Sequence, residues 1–188
     1  GYDAAGIAVE EKGVIEVVRR VGKVSELASA VQDLAPAATC GIGHTRWATH
    51  GAPTERNAHP HRSTHGNIVL VHNGIIENYA ELAEELKARG HVFASETDTE
   101  IVAHLVEEEY DGDLLTAVRR AVRRVMGSYG LAVMSLNEPG RIVVTRQDSP
   151  IVIAQSDDGA YVASDIIAVL RASRDVVILG DGEVGVLE

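Results

Sequence analysis

The 188-residue chain has one cysteine, one tryptophan and one phenylalanine, and aromatic residues make up only 4% of it. A single thiol, Cys40, cannot close an internal disulfide, so a disulfide-stapled secreted scaffold is excluded. Any metal site would have to rest on the eight histidines and the carboxylates. Basic residues are scarce as well, 17 against 28 acidic ones, giving a net charge of -11. Such a surface repels phosphate backbones and anionic lipid, which excludes nucleic acid as the main partner. No apolar run approaches the roughly 20 residues of a membrane-spanning helix, and no basic-then-apolar leader opens the chain. These absences lead to the expectation of a soluble, cytoplasmic protein that contacts neither nucleic acid nor membrane.

Hydrophobic residues supply 45% of the chain. At this length a single domain over residues 1–188 can bury about two thirds of its unfolded surface. The apolar stretch Ile7-Ala8-Val9 and the β-branched run Val14 to Val18, with Gly13 between them, predict a hairpin. Val24 to Val31 has the spacing of a short amphipathic helix. Gly66 to His72 is apolar at nearly every inner position, which predicts a strand covered on both faces. Helical patterns follow over Ile76–Arg89, Thr97–Glu109 and Asp113–Met126, the last closed by Gly127. Short β runs then occupy 131–134, 141–144, 151–153 and 161–163. The runs 176–179 and 183–186 are expected to pair around Gly180-Asp181-Gly182. Strands at both ends of a helical middle argue for an α+β sandwich of sheets and against a doubly wound parallel sheet.

Three clusters carry the chemistry. In Gly43-His44-Thr45-Arg46-Trp47-Ala48-Thr49-His50-Gly51, the residues Arg46, Thr49 and His50 put a fixed cation and two small polar groups within one turn. Glycines bracket them and let backbone close around a ligand, an arrangement suited to a carboxylate. The second cluster, His72-Asn73-Gly74-Ile75-Ile76-Glu77-Asn78, sets Asn73-Gly74 where a buried strand is expected to give way to a helix. By itself the pair is a turn signal. An asparagine amide and an adjacent glycine N–H are also two donors able to converge on one oxygen, the makeup of an oxyanion hole. The third cluster, Ser95-Glu96-Thr97-Asp98-Thr99-Glu100, fits a capping box. Within it, Asp98 is a carboxylate in a first helical turn, stabilised there as an anion and able to pair an ammonium. Arg46 and Asp98 together would recognise the main-chain end of an α-amino acid.

With Asn57-Ala58-His59-Pro60-His61, these motifs closely resemble the glutaminase domains of the glucosamine-6-phosphate synthase family, which are class II glutamine amidotransferases. Gly1-Tyr2-Asp3, Ser149-Pro150 and Ala163-Ser164-Asp165 extend the resemblance over almost the whole chain. Trp47 and His50 favour the sugar enzyme over relatives of phosphoribosyl-pyrophosphate amidotransferase type. The resemblance implies an N-terminal nucleophile hydrolase fold, a four-layer αββα sandwich of two antiparallel sheets. It implies that Arg46, Thr49 and His50 hold the glutamine carboxylate, that Asp98 and the Gly74 region hold its amino group, and that Asn73 and Gly74 N–H form the oxyanion hole. Trp47 would lie on a loop closing over glutamine and gating an ammonia passage.

The family's nucleophile is the thiol of its first residue, with that residue's own α-amine as base; an α-amine pKa near 8 suits the task. The chain begins at Gly1, so the cysteine-led segment is expected upstream, and residues 1–188 are expected to be a glutaminase domain lacking it. Cys40-Gly41-Ile42 imitates the expected start, but its amine is tied up in a peptide bond, and Cys40 is expected to be an ordinary strand residue. His59 and His61, with His50, His65 and His72 nearby, imitate zinc ligands, yet no third ligand has motif-like spacing. No metal and no cofactor are expected. The implied activity is hydrolysis of glutamine to glutamate and ammonia through a cysteinyl thioester, with ammonia passed to fructose 6-phosphate to make glucosamine 6-phosphate. The implied partners are glutamine or glutamate, a C-terminal sugar-phosphate isomerase domain of the same polypeptide, and a second copy in a homodimer. The alternatives are an inactive glutamine- or glutamate-binding or assembly module, or the glutaminase domain of another class II amidotransferase.

Overall fold

The computed structural model describes residues 3–32, 34, 37–47 and 52–188. Strands β1 (Ala4–Glu11) and β2 (Val14–Val21) form the expected antiparallel hairpin, and β3 (Cys40–Arg46) pairs with the other edge of β1 in the order β2-β1-β3. A five-stranded sheet has the order β11-β7-β6-β5-β4, from β4 (His61–Arg62), β5 (Ile68–Ile76), β6 (Gly127–Ser135), β7 (Ile142–Gln147) and β11 (Val184–Leu187). A third sheet, β10-β8-β9, comprises β8 (Val152–Ser156), β9 (Gly159–Ala163) and β10 (Val176–Ile178). The helices are α1 (Val24–Ala30), α2 (Tyr79–Ala88), α3 (Asp98–Glu109), α4 (Leu114–Val122) and α5 (Ile166–Val169). All strand pairs within the three sheets are antiparallel.

Alternation along the strands builds the layers. Ile68, Leu70 and Ile76 of β5 point into one core with α2, α3 and α4, whereas Val69 and Val71 point into a second core with Ile15 and Ile42 from the β2-β1-β3 sheet and Ile151 just before β8. The strand is therefore covered on both faces, as its unbroken apolar run predicts. On the far side, Val152 and Ala154 of β8 pack with Val169 of α5 in a third, smaller cluster. The result is the αββα sandwich, with its second β layer divided into two three-stranded sheets. Helix α3 lies deep in the first core, its residues 98–106 all buried. No helix among the described residues is long and apolar enough to cross a membrane.

Several boundaries differ from the sequence pattern. The helix expected from Ile76 begins only at Tyr79, because β5 continues through Asn73 and Gly74 to Ile76, which pairs with Gly127. The helix expected to reach Met126 ends at Val122, and Gly127 opens β6 instead of closing a helix. Strands β10 and β11 do not pair with each other; β10 joins β8 and β11 joins β7, so Gly180-Asp181-Gly182 carries the chain between sheets. No capping box forms: Thr97 makes no side-chain cap, and Glu100 reaches past it to accept the N–H groups of Ala94 and Ser95, each at 2.6 Å.

Candidate active site

Arg46 ends β3, Asn73 and Gly74 lie within β5, and Asp98 is the first residue of α3. Residues 42, 44 and 46 of β3 share the inward face, so Ile42 packs in the core while His44 and Arg46 meet β5 and α3. A cavity of about 180 Å³ is lined by Arg46, Trp47, Asn73, Gly74 and Asp98 together with His44, Thr45, His59, His72, Thr97 and Thr99. Five of the seven residues singled out from sequence thus share one pocket. The other two, Thr49 and His50, lie outside the described residues.

Arg46 is 4% exposed, and its guanidinium donates to the Ala52 carbonyl at 3.3 Å. Burial lowers its pKa, while the negative charges of Asp3 and Asp98 oppose that shift. Asp98, 5% exposed, accepts the Ile76 N–H at 2.8 Å, which locks the start of α3 to the end of β5. Trp47 is 71% exposed at the pocket mouth.

The Asn73-Gly74 pair is not a turn. Gly74 has φ 134°, and a Cβ there would lie 2.1 Å from the Ser128 carbonyl oxygen on β6. Only glycine lets β5 approach β6 so closely in that backbone conformation. The Asn73 side-chain oxygen lies 2.8 Å from His44 Nε2. Burial holds His44 down at about 4, so its imidazole is neutral at pH 7 and donates this bond through Nε2–H. With its oxygen so engaged, the Asn73 amide is fixed in orientation and its NH₂ group remains available as a donor.

Three buried histidines, His59, His61 and His72, and the half-buried His44 underlie the pocket, a feature the motifs did not reveal. The rings of His44 and His59 are 4.0 Å apart and those of His59 and His61 4.8 Å apart. Thr99 Oγ1 lies 3.1 Å from His59 Nε2 and 2.9 Å from His72 Nδ1, and Thr97 Oγ1 lies 3.2 Å from His61 Nε2. Burial pushes His59 well below the usual range and His61 down to about 3; it also lowers His72, against the opposing pull of Asp98. Neutral imidazoles can be packed against a cationic Arg46 without stacking charge on charge. The signal for this scaffold was the alternation of His59 and His61 and the i,i+2 placement of His44 and Arg46, but their partners come from α3, distant in sequence.

Beside this pocket a larger cleft, about 430 Å³, runs between β3 and β9, each the outer strand of its sheet among the described residues. Gly41, Gly43 and Thr45 line one wall and Val162 to Ser164 the other, and Val71, Asn73 and Gly130 contribute to the floor. Asn73 borders both cavities. Cys40 lies at the opposite end of β3, six residues and roughly 20 Å from Arg46. Burial, helped by Glu10, raises its thiol pKa, which disfavours the reactive thiolate.

Residues 44–171, running from His44 in this pocket to just past α5, match the family model described as a glutamine amidotransferase domain. The chain belongs to that family. As a glutamine amidotransferase domain it is 47% identical, over 98% of its length, to the glutamine–fructose-6-phosphate aminotransferase (isomerizing) of Aquifex aeolicus (strain VF5), covering 31% of that protein. It is 54% identical, over 97% of its length, to the enzyme of the same name from Xylella fastidiosa (strain Temecula1 / ATCC 700964), covering 30% of it. The domain thus spans about 30% of the length of the curated relatives it matches. Its fold is that of the glutamine phosphoribosylpyrophosphate amidotransferase from B. subtilis, with a TM-score of 0.77 at 23% identity over 99% of this chain and 43% of that one. The expected four-layer αββα fold is therefore present.

Proposed function

We propose that this domain hydrolyses glutamine to glutamate and ammonia. The observation that carries the reading is the fixed Asn73 amide beside Gly74, in the same pocket as a buried Arg46 and a buried Asp98. Arg46, with Thr49 and His50, pairs the glutamine α-carboxylate, while Asp98 and the Gly74 region accept the α-ammonium. This orientation directs the side-chain amide toward Asn73. A cysteine-led strand, supplied by the longer polypeptide, enters the cleft between β3 and β9. Two unpaired strand edges and a floor that includes Asn73 support that reading.

The chemistry follows from those positions. The strand's terminal α-amine takes the thiol proton, and the thiolate attacks the amide carbon. The resulting oxyanion is stabilised by Asn73 Nδ2–H and Gly74 N–H. Collapse breaks the C–N bond, the α-ammonium returns its proton to the leaving nitrogen, and ammonia departs. Water then hydrolyses the thioester to glutamate through a second oxyanion in the same hole. In the whole cytoplasmic protein, a homodimer, ammonia passes beneath a lid carrying Trp47 to a C-terminal sugar-phosphate isomerase domain, which uses it to convert fructose 6-phosphate to glucosamine 6-phosphate. The support for the acceptor is the name borne by relatives about half identical to this chain.

Steady-state kinetics on the full polypeptide test this. Asn73→Ala should lower kcat for glutamine hydrolysis by about 10² to 10³ with little change in KM, as expected for a donor used in the transition state. Arg46→Ala should instead abolish saturation by glutamine. A full polypeptide indifferent to glutamine and its analogues sinks the proposal, and glutamate binding without turnover would favour a binding module.

A further inference from the structure

On another part of α3, away from the glutamine pocket, lies a second cluster of ligand-type side chains. The turn between β4 and β5 contributes His65, the segment after α2 contributes His91, and α3 contributes His104 and Glu107. One ligand atom from each of His91, His104 and Glu107 lies within 4.8 Å of the others. His65 Nδ1 is 3.2 Å and His91 Nδ1 3.9 Å from the same Glu107 oxygen, Oε2.

Glu107 is held in a particular way. Its Oε1 accepts the Ser63 hydroxyl at 2.5 Å and the His65 N–H at 3.0 Å. Its Oε2 is buried and takes no hydrogen bond, although two imidazoles face it. A buried carboxylate oxygen without a donor is costly. His104 is fully buried and is steadied by the Thr64 N–H, 3.2 Å from its Nδ1, and Thr64 Oγ1 lies 3.3 Å from His91 Nδ1.

We propose that His65, His91, His104 and Glu107 bind one divalent transition-metal ion of the zinc class. The donor set of imidazole nitrogens and one carboxylate oxygen is the type zinc accepts. Metal–ligand bonds of about 2.0 to 2.1 Å in a tetrahedral site put neighbouring ligands a little over 3 Å apart, and 3.2 and 3.9 Å bracket that spacing. The bonds to Oε1 leave Oε2 as the ligating oxygen, the kind of outer-shell support that orients a metal carboxylate. His104 joins the ion by giving up the Thr64 N–H bond to its Nδ1, since its Nε2 faces Glu100 Oε1 at 3.5 Å. This reading departs from the expectation, drawn from His59 and His61, that the chain holds no metal; those two rings are engaged with Thr99 and Thr97. Glu107 lies nine residues from Asp98 along α3, about 13 Å of helix. The ion is therefore structural: it staples the β4–β5 turn and the segment after α2 to the helix that carries Asp98.

The test uses the whole protein, stripped with a chelator and titrated with zinc and with cobalt(II). One zinc per chain should be retained through desalting, cobalt should give the visible d–d absorption of a four-coordinate site, and zinc should raise the melting temperature. His65→Ala alters an exposed ring and Glu107→Gln preserves side-chain shape; each should weaken zinc binding by about tenfold or more. Absence of the cobalt bands, substoichiometric zinc after desalting, or unchanged affinity in both variants overturns the site and leaves the cluster as a hydrogen-bonded clamp.

Discussion

The five-stranded sheet and the β10-β8-β9 sheet are both antiparallel and both rich in β-branched residues, yet only the first supports buried polar chemistry. Its core with α2, α3 and α4 holds Leu105, Val118 and Leu131 at 0% exposure, and in the same layer lie Asp98, Glu100 and His104, all buried. The second sheet buries Val152, Ala154 and Val169 and leaves Val177 and Ile178 more than half exposed. A charged group survives burial only where enough apolar packing excludes water and enough donors replace it. Glu100 shows the balance: burial by itself would raise its pKa, but hydrogen bonds from His104, Ser95 and the Ala94 and Ser95 amides outweigh that and bring it to about 2. The second sheet contributes a wall of the cleft, a task that needs a strand edge and no buried charge.

Acid should destabilise the polar first layer most strongly. His44, at about 4, and His61, at about 3, stay neutral in the fold well below the pH at which an unfolded histidine takes up its proton, near 6.5. Their stabilisation is therefore fully present above pH 6.5 and is lost as pH falls toward 4 and 3. Each such histidine removes up to about 1.4 kcal/mol per pH unit through that window. Glu100 adds a loss of the same sign between about 4.5 and 2. Urea melts at pH 7, 5.5 and 4.5 should show stability falling by several kcal/mol, much of what a domain possesses. A flat profile down to pH 4.5 would mean that the imidazoles beneath the pocket are hydrated.

Core truncation gives the next largest effect. Leu105→Ala in α3 should cost about 2 to 5 kcal/mol, because rigid neighbours cannot close the cavity. Val177→Ala on exposed β10 should change stability by less than about 0.5 kcal/mol. Equal costs in chemical denaturation would show that β10 is covered in solution and that the two layers are not so different.

Much of this division was legible in the sequence. The unbroken apolar run of β5 announced two covered faces, and Thr97 to Glu109 announced the helix that became α3. What the sequence hid depends on contacts distant in the chain. Ile76 to Asn78 fits a helical pattern, but pairing of Ile76 with Gly127 claims it for a strand. Asn73-Gly74 carries a local turn signal, whereas the glycine is required by the approach of the Ser128 carbonyl. The strands around Gly180-Asp181-Gly182 look like a hairpin because nothing local records that β8 and β7 are better partners. At the site, Arg46, Asn73, Gly74 and Asp98 could be named from motif chemistry. The neutral histidines could not, since their state follows from burial against α3.

The smallest effect compares two helix caps, one on each layer. Asp113 caps α4 by accepting the Thr116 N–H at 3.1 Å, and Asp165 caps α5 by accepting the Ile167 N–H at 2.9 Å. Both caps accept a first-turn N–H; Asp113 also accepts the Thr116 hydroxyl and lies 3.8 Å from Arg141, but the larger difference is what each helix is attached to. Helix α4 buries Leu114, Ala117, Val118 and Ala121 in the first core, whereas four-residue α5 buries Val169 alone. Loosening α4 therefore strains the global core, and Asp113→Ala should lower Tm by about 2 to 4 °C. Loosening α5 opens a small cluster that can fray while the rest holds, so Asp165→Ala should leave Tm nearly unchanged and instead speed amide exchange over residues 166–170. Equal Tm shifts from the two variants would show that both layers melt as one cooperative unit. In that case the strand edge at the cleft is held as rigidly as the pocket itself.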